Sequence, residues 1–357
     1  MVLPDEKILF TRTINSEALT LSMTHKERLR RALQHQPVDR LPTQINLTAT
    51  MVKKLAAHFG ISSHELPVHL GNYLVRLSIS YPERCSAGGY SLYDWWGAGH
   101  ATSEEGYYIN DSPLSDNKDL DAFAWPDPYS PDLLDGATQI MQKYGNEYFV
   151  VPNFGWALFE RAWSLRGFEQ FFMDMALDAG FVEALLDRIV EIQLVLIHRF
   201  LEMGVDGGYF GDDYGSQKGL LFSPRMWRNL IKPRLQRMFA PFLERGLPVL
   251  LHSDGQIQQI LPDLVEIGLT TLNPVQPEVL DHHWLRDHFG DKLSFYGGIS
   301  TQTILPQGTP EQVKAAVTEC VRTLAPEGTG LLIAPSHSLM SDVPIANVEA
   351  LLNAFRG

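Results

Sequence analysis

Short apolar or β-branched runs ending on polar residues or glycine alternate along this chain with longer stretches of helical periodicity. That is the pattern of an α/β fold with parallel strands. It is clearest in the second half. "LPVLLHS" (247–253) precedes the helical "QIQQILPDLVEIG", and "TTLNPVQ" (270–276) precedes a short helix running through His288. "LSFYGGIS" (293–300) precedes a helix opened by "TPEQ", and "GLLIAPS" (330–336) leads into a final helix near 344–355. In "TPEQ", Thr309 suits the N-cap, Pro310 the first helical position and Gln312 the far side of a capping box.

The first half reads the same way, with strands at "LPTQINLT" (41–48), "GYSLYDWW" (89–96), "EYFVVPNF" (147–154) and "DGGYFGDD" (206–213). Helical stretches follow at 176–203 and at 223–245, the latter opening on "SPRMW". Four units and four make eight βα units, the number that closes a (β/α)8 TIM barrel. A doubly wound open sheet shares this local pattern, and periodicity alone does not separate the two. "MTHKERLRRALQ" (23–34) starts on a second methionine and sets Thr24 and Glu27 at capping-box spacing. One barrel domain is therefore expected over 23–357, with 1–22 as an N-terminal extension. The Asp-, Pro- and Ser-rich stretch 110–135 reads as a surface excursion between strands.

Composition narrows the partners. The chain has 357 residues, 45% of them hydrophobic and 20% charged, which suits a large buried core. Its net charge of −13 argues against nucleic acid or an anionic membrane as partner, since both reward clustered Lys and Arg. A small molecule or another protein is expected instead. Cys85 and Cys320 belong to no CxxC pair, no apolar stretch reaches membrane-span length, and the first 22 residues lack the apolar region of an export signal. A cytoplasmic location is expected.

In a parallel barrel the C-terminal strand ends converge on one mouth, where such enzymes place their sites. Those positions here are Asp94 with Trp95 and Trp96, Asn153, Asp212 and Asp213, His252 and Asp254, Asn273 and Gln276, and Ser336 with His337. This set suits a polar or cationic ligand, general acid/base chemistry or a metal. Each residue has a plainer reading: Asp254 before Gly255 fits a turn or helix cap, a histidine after a strand fits a satisfied structural role, and the tryptophans fit packing. His252, Asp254 and His337, with a carboxylate from the fourth strand, form a mixed N/O set that zinc or another divalent ion accepts. P-loop, GxSxG and strand-linked GxGxxG motifs are missing, so no nucleotide cofactor is expected.

At these same residues the sequence resembles the uroporphyrinogen decarboxylase superfamily, which also contains methyltransferases acting with corrinoid proteins. The resemblance rests on "MTHKERLRRALQHQPVDRLP", "FERAWSLRGFEQFFMD", "GDDYGSQKGLLFSPRMWRNLIKPRL", "LLHSDGQIQQILPDLVEIGLTTLNPVQP", "FYGGISTQTILPQGTPEQV" and "LLIAPSHSLMSDVP". It implies a (β/α)8 barrel. In true uroporphyrinogen decarboxylases, arginines after the first strand hold the substrate's carboxylates; here "RLPTQINLT" has none beyond Arg40. His337 matches that family's histidine in the last strand's loop, and Asp94 its essential aspartate.

The corrinoid methyltransferases carry His-x-Cys after the fifth strand and a further Cys after the eighth, which bind zinc and activate a thiol. This chain keeps His252 but has Asp254 and Ser336 at those places, which implies a harder site and an oxygen or nitrogen substrate. "HSDG" and "DDYGSQ", the latter ending at Gln217, resemble the demethylase-like branch, in which a methoxylated or N-methylated small molecule gives its methyl group to a corrinoid protein. Asp213, His252, Asp254, His337 or a bound metal would then improve the leaving group, and the glycine-rich "FYGGIS" would suit approach of the corrinoid. The alternatives are a decarboxylase of a porphyrinogen or smaller carboxylate, and a barrel that binds a tetrapyrrole or small molecule without catalysis.

Overall fold

A computed structural model describes residues 23–82, 84–86, 91–103 and 105–357. The expected extension at 1–22 lies outside the described residues. Seven parallel strands form one curled sheet in sequential order: β1 Leu74–Leu77, β2 Phe149–Gly155, β3 Gly208–Gly211, β4 Val249–His252, β5 Thr271–Asn273, β6 Ser294–Ile299 and β7 Leu331–Pro335. Segment 42–47 closes the ring. Gln44 N–H donates to Ile333 O at 3.0 Å on one side, and Tyr73 N–H donates to Thr43 O at 3.2 Å on the other. The eightfold barrel, rather than the open sheet, is what the pattern encodes.

Strand residues alternate between two clusters, and this alternation decides what reaches the mouth. Leu74, Val151, Tyr209, Leu250, Tyr296 and Leu332 point into the barrel, where Leu29 and Leu33 of helix α1 (His25–Leu33) plug its floor. Val150, Phe210, Leu251, Leu272 and Phe295 point outward against the helices. Two residues further along the inward phase stand Arg76, Asn153, Gly211 and His252. The burial of both phases explains why these strands read as continuous apolar runs.

The surrounding helices follow the sequence closely. Thr24 caps α1 by accepting from Glu27 N–H at 3.1 Å, and Thr309 and Gln312 complete the capping box of the helix Pro310–Leu324. Ser223 caps the stretch opening on "SPRMW", which passes through a π turn before the helix Lys232–Leu243.

Two expectations change. The second barrel strand is Leu74–Leu77, not the aromatic stretch 89–96. Described residues of that stretch instead join a four-stranded antiparallel flap made of Arg84–Cys85, Leu92–Tyr93, Gly99–Thr102 and Tyr107–Asp111. The flap is tied across the barrel mouth by Glu105, which accepts from Thr48 Oγ at 2.6 Å and Ser341 N–H at 3.1 Å. Secondly, "FYGGIS" is a strand as expected, but its glycines are buried and not open to a corrinoid. A Cβ on Gly297 would stand 1.8 Å from Pro274 O, and one on Gly298 2.5 Å from Cys320 Sγ, at φ of 124° and 98°. These glycines serve strand and helix packing, not access for a large ligand.

Candidate active site

The inward phase delivers a polar chamber at the C-terminal mouth. It has a volume of about 260 Å³ and is lined by Arg76, Asn153, Glu160, Tyr209, Asp213, His252, Asn273, Ser336 and His337, among others. A second chamber of about 270 Å³ shares Ser336 and His337 with the first and adds Gln217, Asp254 and Gln276. The Gln217 and Gln276 amides face one another at 3.5 and 3.4 Å.

His252 is held in a defined orientation. Asn273 Nδ2 donates to Tyr296 O at 2.9 Å, which turns Asn273 Oδ1 toward Tyr209 OH at 3.0 Å and His252 Nδ1 at 2.7 Å. Nδ1 therefore donates, and the Nε2 lone pair is offered to the chamber. Nε2 lies 3.7 Å from Asp254 Oδ1 and 4.0 Å from Asp213 Oδ1, while His337 Nε2 lies 3.8 Å from Asp254 Oδ2. Asp213 accepts from Asp254 N–H at 2.8 Å and so fixes the loop after β4. Burial pushes the Asp254 carboxyl up, as does the Asp213 charge, against the pull of His252 and His337. Asp254 faces the two imidazoles, and neither a helix cap nor a turn claims its side chain.

One ligand atom from each of His252, Asp254 and His337 falls within 4.8 Å of the others. Zinc bonds of about 2.0–2.1 Å set tetrahedral ligands roughly 3.4 Å apart; the separations here are wider, 3.7 and 3.8 Å to opposite oxygens of Asp254 and up to 4.8 Å across the set, so the side chains would have to draw together around an ion. The donor types are those a divalent ion accepts.

The adjacent carboxylates of "GDD" part company. Asp213 continues the inward phase through Gly211, whereas Asp212 continues the outward phase of Phe210 and is fully buried. It accepts from Phe159 N–H at 2.8 Å, Glu160 N–H at 2.7 Å and Tyr214 OH at 2.8 Å, capping helix α2 (Phe159–Arg166) from outside. Burial pushes its carboxyl up to about 7 against those three hydrogen bonds. Asp212 is thus a helix cap rather than the substrate-binding residue the sequence suggested.

Asp94 and Trp95 also lie outside both chambers. Asp94 pairs with Arg161, lies 3.4 Å from His100 Nε2, and accepts from Trp96 N–H at 3.0 Å and Ala98 N–H at 2.9 Å. Burial pushes its carboxyl up, but the His100 hydrogen bond and the Arg161 charge outweigh this and hold it below the ordinary range. It anchors the flap to α2. Trp95 packs edge-on against Trp96 with centroids 5.5 Å apart, the packing role.

Glu160 and Arg76 were missed in the sequence. Burial, then the Asp213 and Asp212 charges, push the Glu160 carboxyl well above its ordinary range, which favours its protonated form. Folded Glu160 binds that proton more tightly than the unfolded chain does. Its stabilising effect is complete below the unfolded pKa of about 4.3 and is lost as pH rises through the folded value. Glu160→Gln is accordingly expected to raise the denaturation midpoint over wild type at pH 9 and not at pH 4. Equal midpoints at both would show that Glu160 is not held protonated.

With this geometry in place, comparison with known proteins assigns the family. Residues 100–357 match the family model for uroporphyrinogen decarboxylase. The chain belongs to that family. Within it, the chain is 21% identical over 235 residues to the methylated-thiol–coenzyme M methyltransferase of Methanosarcina mazei, a match covering 64% of this chain and 60% of that relative. A solved structure, also a methyltransferase from Methanosarcina mazei, superposes over 94% of this chain and 98% of its own with a TM-score of 0.71 at 23% identity. The fold shared with the solved structure is this barrel, and the chain spans less than two thirds of the length of the curated methyltransferase it matches. No helix among the described residues is long and apolar enough to cross a membrane.

Proposed function

We propose that this chain is the methyltransferase component that takes a methyl group from a small methoxylated or N-methylated donor and passes it to a corrinoid protein. The observation that carries the reading is the oriented His252, its Nε2 offered beside Asp254, Asp213 and His337 in a small polar chamber. A volume of about 260 Å³ falls short of the ~300–1,000 Å³ that encloses drug-sized ligands. It suits a small donor.

Breaking a methyl–oxygen bond leaves an alkoxide or phenoxide that needs a proton or a cation. Glu160, its carboxyl pushed up by burial in the same chamber, would donate that proton, and Asn153 and Tyr209 would help to orient the molecule. His252, Asp254 and His337 would hold a divalent ion such as zinc, which supplies Lewis acidity to the leaving oxygen or nitrogen. The corrinoid partner supplies a reduced cobalt that accepts the methyl group while the bonding pair departs with the heteroatom. The Asp254 carboxylate suits an oxygen- or nitrogen-seeking ion where a cysteine would favour a thiol substrate.

The test is anaerobic incubation with cob(I)alamin and a panel of methoxylated aromatics and methylamines, beside a separate incubation with uroporphyrinogen III. Methylcobalamin is expected from the first and no carbon dioxide from the second. Carbon dioxide release without methylcobalamin would reverse the assignment.

A further inference from the structure

We propose that the donor accepted by this chamber carries a carboxylate, and that Arg76 binds it. The inference rests on the reading that the chamber holds the methyl donor, and it names the donor's class. Arg76 stands on β1 in the inward phase and lines the first chamber. Arg76 is half-buried, and the buried Arg161, Arg166 and Arg234 are matched to carboxylates, Arg161 to Asp94, Arg166 to Asp174 at 2.7 Å and Arg234 to Asp187 at 2.8 Å. Arg76 has no ion pair and no hydrogen bond among the described residues. Its guanidinium carbon lies 5.2 Å from the centroid of the Tyr209 ring.

A cation kept in a partly closed chamber without an acceptor is costly unless a ligand completes it. A guanidinium held over an aromatic face by its π cloud uses none of its N–H donors there, and those donors remain free to take a carboxylate by two parallel hydrogen bonds. Asn46 and Asn153 line the same chamber and add amide donors. The carboxyl groups of Glu160 and Asp213 share the chamber, yet neither pairs with Arg76. Arg76 is therefore not matched by the acidic groups around His252. A short donor whose carboxylate meets Arg76 would turn its methylated oxygen or nitrogen toward His252 and Glu160.

The same oxyanion chemistry could come from the phosphodiester of a corrinoid, so the test measures binding with and without cobalamin. The full chain and its R76Q and R76K variants are titrated by calorimetry with 4-methoxybenzoate and N,N-dimethylglycine, each against its primary amide. Wild type is expected to bind at least one acid about tenfold or more tightly than its amide without corrinoid. R76Q is expected to erase that preference and R76K to keep part of it. Should R76Q fail to fold, R76K must still lower the preference severalfold. The proposal falls if wild type binds no acid, binds acids and amides alike, keeps its preference in the folded variants, or gains it only when cobalamin is present. Acid selectivity without methyl transfer would leave the Arg76 assignment standing and remove the methyltransferase reading.

Discussion

Replacing His252 with alanine is expected to lower kcat/KM for methyl transfer by about 10²–10⁴-fold, the range for losing a positioned acid, base or ligand. The denaturation midpoint should barely move. The imidazole is 22% exposed, and its hydrogen-bond partner Asn273 Oδ1 keeps the Tyr209 hydroxyl as a donor. Nothing buried is left unpaired by the truncation. Single-turnover kinetics beside a urea melt separates the two effects; a change in rate below threefold would mean that His252 is a structural residue.

Asp212→Ala should do the opposite, acting first on stability. Three buried donors, Phe159 N–H, Glu160 N–H and Tyr214 OH, lose their acceptor together. At about 1–3 kcal/mol for each unsatisfied group, the expected loss is at least about 3 kcal/mol, read as a fall in the urea midpoint. Asp212→Asn should cost less, because the amide oxygen still accepts from the helix while no charge is buried. Since the cap holds the first turn of α2, which carries Glu160, any folded Asp212→Ala protein should also transfer methyl groups more slowly. A midpoint within error of wild type would show that the cap is redundant.

The strand ends that carry chemistry were legible because polar residues interrupt apolar runs there. His252, Asp254, Asp213, Asn153, Asn273 and His337 all reach the chambers named by their positions. Which member of "GDD" faces inward was not legible. In "GGYFG" both Tyr209 and Phe210 are buried aromatics, so the strand offers no polar alternation from which to read its phase. The four-residue strand Leu74–Leu77 was passed over for the aromatic run 89–96, whose residues favour strands but pair antiparallel in the flap. That choice hid Arg76, a charge inside an apolar run that only a barrel mouth explains, and gave Asp94 a place in the cavity that the flap does not allow. Glu160 lies in the first turn of a helix, where an acidic residue is ordinary. Its chemistry comes from burial and from Asp213 and Asp212, brought to it by the fold.

On the function proposed above, His252, Asp254 and His337 form one working site that activates a methyl donor. Metal content and methyl transfer should be measured together on wild type and on the three single alanine variants. About one divalent ion per wild-type chain is expected, with loss of both ion and transfer on chelation or in each variant, and return of transfer when zinc is restored to the wild type. A metal-free preparation that transfers methyl groups at the full rate would contradict it.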